Sequence, residues 1–278
     1  MFDTVTDLRA PIWQARAMDP QHRLTLECAL EATENAGITL ADLAGSRVGV
    51  FASHERSEYG MQTLEDLPTT SNYTATGTAG CMFANRLSYF FGLSGPSIAV
   101  DAACAGSSYA LHLASQSIRS GECKTALVSA SSLITGPEVW VALDQMGALS
   151  AEGKCFPYDS KASGFGRGEG SACLVLKPLS DALAAGDAIR AVIRNTAANH
   201  SGRTQGITMP SRAAQEALAR QLHSEVGLDP HDTDFVEGHG TGTPVGDPLD
   251  AGAVAAVFGS KRTASNPVHI GSIKSNIG

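Results

Sequence analysis

The sequence has little that would tie it to a membrane, a metal or a nucleic acid. No apolar run among its 278 residues approaches the roughly 20 needed to cross a bilayer. The opening MFDTVTDLRAPIWQ carries acidic residues and lacks a basic stretch followed by an apolar core, so it does not read as a signal peptide. Cysteine is sparse. Cys28, Cys81, Cys104, Cys123, Cys155 and Cys173 stand apart without CxxC spacing, which leaves neither a disulfide framework nor a zinc pattern. They read as free thiols in a reducing, cytoplasmic setting, most of them small buried hydrophobes. Basic residues are outnumbered, 20 Lys and Arg against 28 Asp and Glu, and the net charge of −8 argues against nucleic acid and anionic membranes as partners. No phosphate-cradling G-x-x-x-x-G-K-[ST] run is present. SGFGRGEGS (163–171) comes close to a dinucleotide loop but fails it: Glu169 and Ser171 stand where the third glycine belongs, and the stretch precedes an apolar strand pattern rather than following one.

What is present is a globular α/β pattern, 43% hydrophobic and rich in glycine. DPQHRLTLECALEATENAG (19–37) predicts an amphipathic helix with Asp19 as N-cap, Pro20 at the first helical position and Gly37 as the stop. Further helices are expected over 73–92, from about 104 to 119, over 211–226 and around 247–259. Strands are expected over 46–53, 97–103, 125–133, 171–179, 188–199, 233–239 and 268–274. The near-continuous apolar runs at 125–133 and 171–179 suggest parallel strands covered on both faces. The pattern divides near 179–187, giving an N-terminal half over 1–185 and a C-terminal half over 186–278.

Functional groups in parallel sheets gather at the carboxyl ends of strands, and three candidates fall there. Cys104 stands where a strand turns into a helix. The helix dipole and free N–H groups at such a point favour the thiolate, and Ala102, Ala103, Ala105 and Gly106 leave room for an acyl group. Read alone, the position also suits a small core residue. His239 lies in VEGHGTGTPVGDP (236–248), ringed by Gly238, Gly240 and Gly242. The glycines would let a substrate run close to the backbone, and Thr241 and Thr243 offer hydroxyls along one line to an extended, amide-bearing ligand. An imidazole there can stabilise an oxyanion or handle a proton, or it can merely cap a turn. Lys274, in GSIKSNIG (271–278), could fix a second imidazole or a carboxylate by charge, or reach out to water.

Taken together, AMDPQHRLTLE (17–27), GPSIAVDAACAGSSYALHLA (95–114), EGHGTGTPVGDPLD (237–250) and GSIKSNIG (271–278) resemble, in order, the signatures of the β-ketoacyl synthases of fatty acid and polyketide assembly. The likeness is strongest to the ketosynthase domains of polyketide synthases. It implies a thiolase-like fold of mainly parallel mixed sheets layered with helices. Cys104 would be acylated from a phosphopantetheine thioester, carried by an acyl carrier protein or CoA. His239 would assist decarboxylation of a malonyl-type extender, Thr241 and Thr243 would bond the pantetheine amides, and Lys274 would position a second histidine. The resemblance also implies a homodimer, with 97–103 near its interface, and no bound cofactor or metal. Cys104-Ala105-Gly106 departs from the family's serine-rich context after the nucleophile. The family's opening strand, its second catalytic histidine and a glycine-rich Phe loop fall beyond the two ends, so the chain is expected to be truncated at both, with its C-terminal half incomplete. Two other readings follow from that expectation: a truncated ketosynthase that binds carrier protein or dimerises without condensing, and a thioester hydrolase, transacylase or cyclase using Cys104 and His239. A cysteine protease would leave the Gly-Thr-Gly-Thr stretch without a role.

Overall fold

A computed structural model describes residues 12–278; the opening MFDTVTDLRAP, with most of the stretch read as no signal peptide, lies outside them. In chain order the elements are α1 (Ile12–Ala17), α2 (Pro20–Asn35), α3 (Leu40–Leu43), β1 (Gly49–His54), α4 (Glu58–Glu65), α5 (Thr74–Thr78), α6 (Met82–Phe91), β2 (Ser97–Val100), α7 (Gly106–Ser120) and β3 (Ala126–Ser132). They continue with α8 (Glu138–Gln145), β4 (Gly170–Leu176), α9 (Leu179–Ala185), α10 (Arg212–Ser224), β5 (Phe235–Glu237), α11 (Gly246–Val254), β6 (His269–Gly271) and α12 (Lys274–Ile277). Two compact units result. One runs through Pro137 and takes up Glu169–Val192; the other comprises Glu138–Gly168 and Ile193–Gly278.

The first unit is a sheet between helices. Its strand order is β2-β1-β3-β4, with β1 parallel to β2 and β3. Because side chains alternate along a strand, Val50, Ala52 and Leu127 pack on one face against α2 and α6, and Phe51, Ala126 and Val128 on the other against α7. Helix α2 forms as its sequence dictates. The Asp19 carboxylate accepts from the Gln21 N–H at 2.8 Å, Pro20 opens the first turn, and Thr25, Leu26, Ala29 and Thr33 lie buried at helical spacing. Asp19 is wholly buried, and it accepts a short hydrogen bond from the Ser57 hydroxyl. Glu58, at the start of α4, is also buried and accepts from the N–H groups of Thr135 and Gly136 at 2.7 and 2.9 Å. Gln21 and Glu169 take the N–H groups of Leu133 and Ile134. The loop leaving β3 is thus held by acceptors on α2, at the start of α4 and just ahead of β4.

The second unit holds the two-stranded parallel pair β5-β6, in the register Phe235 to His269 and Glu237 to Gly271. Val236 and Ile270 pack on a small core of Val254, Val257 and Phe258. No helix among the described residues is long and apolar enough to cross a membrane.

The structure differs from the sequence-based expectation in several places. The 97–103 strand stops at Val100, ahead of a 3-10 turn over Ala103–Ala105, and the 233–239 strand narrows to Phe235–Glu237. Residues 73–92 form two helices, broken where Ala79 takes an extended ψ of 133°. Strand β4 runs antiparallel to β3, since an apolar run does not fix direction and the 137–169 excursion lets the chain return either way. Nor is it covered on both faces, for it lies at the sheet edge with alternate residues exposed, Leu174 among them. Residues 188–199 form no strand. A strand exists only as part of a ladder, none of the described strands pairs with this segment, and Ile189, Val192 and Ile193 are exposed. The 268–274 strand stops at Gly271, and Lys274 opens the short α12.

His22, on the buried face of α2, meets Phe83 edge-on with ring centroids 4.3 Å apart, and neither of its ring nitrogens has a hydrogen-bond partner among the described residues. Burial, helped by the charge of Arg86 and by His54, pushes its pKa down to about 3. Its folded value therefore lies below its unfolded one, so the folded state refuses a proton that the unfolded state binds. Stability should fall as pH drops from about 6.5 towards 3, with a contribution of up to about 1.4 kcal/mol per pH unit from this side chain. Urea midpoints measured across that range should show a shallower pH dependence in His22→Leu than in the wild type.

Candidate active site

Strands β1, β2 and β3 are parallel, so their carboxyl ends share one edge of the sheet, and the chain leaving β2 at Val100 delivers Cys104 four residues later. Cys104 sits in a single 3-10 turn, Ala103–Ala105, directly ahead of α7. The turn is strained. Ala103 takes a left-handed φ of 46°, a conformation that costs a residue with a Cβ roughly 1 kcal/mol. The Asp101 carboxylate steadies it by accepting from the Ala103 N–H at 3.3 Å. Cys104 itself is exposed and free. Cys81, the N-cap of α6, is exposed as well, and Cys28 and Cys173 are half-buried. Cys123 and Cys155 alone among the six are buried, so most of the thiols are not the buried hydrophobes that the sequence suggested.

The turn docks closely where residue 106 has no side chain: a Cβ there would collide with the Ser53 hydroxyl on β1 as it stands and force it to move. Gly106→Ala should lower stability by about 1–3 kcal/mol and displace the turn. Adding Ser53→Ala should restore most of the loss, a coupling that thermal melts of the two single variants and the double variant would show.

His239, Thr241, Thr243 and Lys274 all belong to the second unit. Parallel pairing of β5 and β6 sends both strands out at the same edge, so His239, two residues past β5, meets Lys274, three past β6. The Lys274 ammonium donates to the His239 main-chain carbonyl at 2.8 Å, and the Ser272 hydroxyl donates to the same oxygen at 3.3 Å. Lys274 thus fixes the backbone of His239 rather than another side chain. Protein packed around the imidazole lowers its pKa, Lys274 lowers it further by charge, and Asp250 and Asp247 act in the opposite direction. His239 itself is exposed, and the downward shift favours the neutral ring, which can donate one hydrogen bond and accept another. Lys274→Met should move the NMR titration midpoint of His239 upward, towards but not up to the usual histidine value, since crowding is the larger cause.

The threonine hydroxyls are partly engaged with each other. Thr241 Oγ1 and Thr243 Oγ1 lie 3.2 Å apart, and Thr243 Oγ1 also accepts from the Gly246 N–H at 3.2 Å. The glycines around His239 make room for the protein itself. A Cβ on Gly238 would collide with the Tyr158 hydroxyl, and one on Gly240 would come within 2.6 Å of Ser272 Cβ.

Sequence reasoning gave no role to the acidic residues of this loop. Asp247 is buried and accepts from the N–H groups of Gly242, Thr243 and Tyr158. Asp250 accepts from the Tyr158 hydroxyl at 2.6 Å and from the Gly240 N–H at 3.4 Å. Glu237 accepts from the Ile273 N–H at 2.7 Å, which anchors the turn that carries Lys274. The available signal was the i, i+3 spacing of Asp247 and Asp250, which puts both carboxylates on one side of α11. Nothing local marked Tyr158. Among the described residues, no group of three or more His, Cys, Asp or Glu side chains is arranged to hold a metal ion.

Residues 7–182 match the family model of the β-ketoacyl synthase N-terminal domain, and residues 190–278 that of its C-terminal domain. The chain belongs to the β-ketoacyl synthase family. This ketosynthase chain is 60% identical over 265 residues to the highly reducing polyketide synthase valA of Aspergillus terreus, a match covering 95% of the chain and 10% of that protein. It is 54% identical to the highly reducing polyketide synthase Preu5 of Preussia isomera, again over 95% of the chain and 10% of the relative. Among solved structures, the ketosynthase from module 6 of the bacillaene synthase of Bacillus subtilis 168 superposes with a TM-score of 0.90 at 38% identity, covering 98% of this chain and 47% of that one. The oxazolomycin ketosynthase domain OzmH KS7 of Streptomyces albus JA3453 gives 0.91 at 36% identity, covering 98% and 48%. The fold is thiolase-like, as the resemblance implied. The chain spans about a tenth of the curated relatives it matches and just under half of the solved ketosynthases.

Proposed function

We propose that this chain carries the acyl-transfer and condensing chemistry of a polyketide ketosynthase. The Cys104 thiolate attacks the carbonyl of an acyl thioester, and the phosphopantetheine thiol of a carrier protein or CoA leaves. A malonyl-type extender then loses CO2, assisted by neutral His239. The resulting enolate carbon attacks the Cys104 thioester, forms the carbon–carbon bond and expels the Cys104 thiolate. Covalent catalysis splits one hard transfer into two easier ones. Thr241 and Thr243 bond the pantetheine amides, and Lys274 holds His239 in place. In this reading the 1–185 half supplies the nucleophile and the 186–278 half the histidine and lysine. An acyl carrier protein is the partner, a second copy pairs near β2, and the free thiols suit a cytoplasmic setting.

The observation that carries the reading is the exposed Cys104 on a strained turn at the head of α7. Relatives over 95% of the chain are highly reducing polyketide synthases, which supports a polyketide rather than a fatty acid product. The test is the intact mass of the chain before and after exposure to an acyl-pantetheine thioester. One acyl adduct, lost in Cys104→Ala, is expected. No adduct, or turnover to free acid without one, would overturn the assignment.

A further inference from the structure

Of the residues around His239, one bonds Asp247 through its main-chain N–H and Asp250 through its hydroxyl, packs its side chain against both neighbouring glycines, and is not used by the reaction written above. We propose that Tyr158 is a positioning residue for His239, holding the turn that carries the imidazole through the carboxylates of Asp247 and Asp250. The proposal rests on the role of His239 in the proposed reaction.

Four observations meet at this residue. Its main-chain N–H donates to Asp247 Oδ2 at 2.7 Å, and its hydroxyl donates to Asp250 Oδ2 at 2.6 Å. Those carboxylates in turn take the N–H groups of Gly240, Gly242 and Thr243, the backbone that follows His239. Its side chain fills the space left by glycine on either side of His239. The hydroxyl stands where a Cβ of Gly238 would be, and Cε2 lies 3.1 Å from where one of Gly240 would be. Finally, Tyr158 adopts a left-handed φ of 60°, a strained conformation for a bulky residue that persists only where its surroundings impose it.

The chemistry points to positioning rather than catalysis. Burial, the bond to Asp250 and the nearby charges of Asp250, Asp247 and Glu237 hold the phenol well above the usual tyrosine range, so it stays protonated and keeps donating. By donating to Asp250 it also spends part of that carboxylate's charge, which would otherwise act on the imidazole. The charged groups that bear on His239 are Lys274 beyond β6 and Asp250 and Asp247 on α11.

The test compares the wild-type chain with Tyr158→Phe, which keeps the ring and deletes the hydroxyl, and with Asp250→Asn alone and combined with it. Three quantities are read: acylation of Cys104, which in this scheme does not use His239; decarboxylation of a malonyl-pantetheine thioester, which does; and the NMR titration of His239, assigned with His239→Gln. Tyr158→Phe should acylate Cys104 at the wild-type rate, decarboxylate about 10–100-fold more slowly, and titrate His239 at a higher pH. The double variant should lose little beyond the worse of the two single variants. An unmoved His239 signal in Tyr158→Phe overturns the proposal, as does an equal fall in acylation and decarboxylation together with a lower melting temperature. If the wild type neither acylates nor decarboxylates, the proposed reaction falls, and the His239 signal alone still decides the positioning role.

Discussion

Carboxylates that accept backbone N–H groups hold the turn that opens α2, the loop leaving β3 and the loops around His239 and Lys274. Asp19 caps α2 from full burial, and Glu58 and Glu169 secure the chain leaving β3. Glu237, Asp247 and Asp250 do the same around His239 and Lys274. Hydrogen bonds to a charged acceptor contribute about 1.5–3 kcal/mol each, roughly twice a neutral bond, and burying a carboxylate is tolerable only when several donors converge on it. Loops supply such donors in abundance, because their N–H groups have no ladder or helix to satisfy them. An acidic side chain on a regular element facing a glycine-rich loop therefore solves two problems together: the carboxylate gains donors and the loop gains a fixed shape.

The candidate catalytic groups are made rigid by different means. Cys104 depends on sterics. A left-handed Ala103 and a bare Gly106 let the turn press against β1, and α7 locks it from behind through Ala110 and Ala114. His239 depends on polar contacts: two donors on its carbonyl, two carboxylates on the backbone that follows, and a phenol between its neighbours. The difference suits the tasks proposed for them. A nucleophile that carries a bulky acyl group needs open space in front and a stiff support behind, whereas an imidazole that must remain neutral needs its surrounding charges held at fixed distances.

Local signals in the sequence were dependable. Asp19, Pro20 and Gly37 mark the limits of α2 to within a residue or two, and the caps, apolar periods and strand-end positions of Cys104, His239 and Lys274 are all visible there. What escaped depends on partners far along the chain. An apolar run such as 171–179 marks a strand but shows neither its direction nor its cover, since β4 runs antiparallel along the sheet edge with alternate residues exposed, and 188–199 has strand composition without a ladder to join. The glycines beside His239 show that something approaches closely. Only the fold reveals that the visitor is Tyr158, 92 residues before its acceptor Asp250.

The crossing of the chain between its two units has a consequence for how it is made. Residues 138–168 leave the ribosome before the strand that completes the first sheet, yet they belong to the other unit. Until β4 emerges, β3 offers an open hydrogen-bonding edge. Tyr158, already synthesised by then, must wait for another 92 residues before Asp250 exists to receive it. The first unit has all its residues once Val192 is made, whereas the second holds residues 138–168 in waiting until the chain beyond Ile193 arrives. A nascent chain of this kind passes through an interval with an unpaired strand edge and an unanchored insertion, both open to pairing with other chains until β4 and Asp250 arrive.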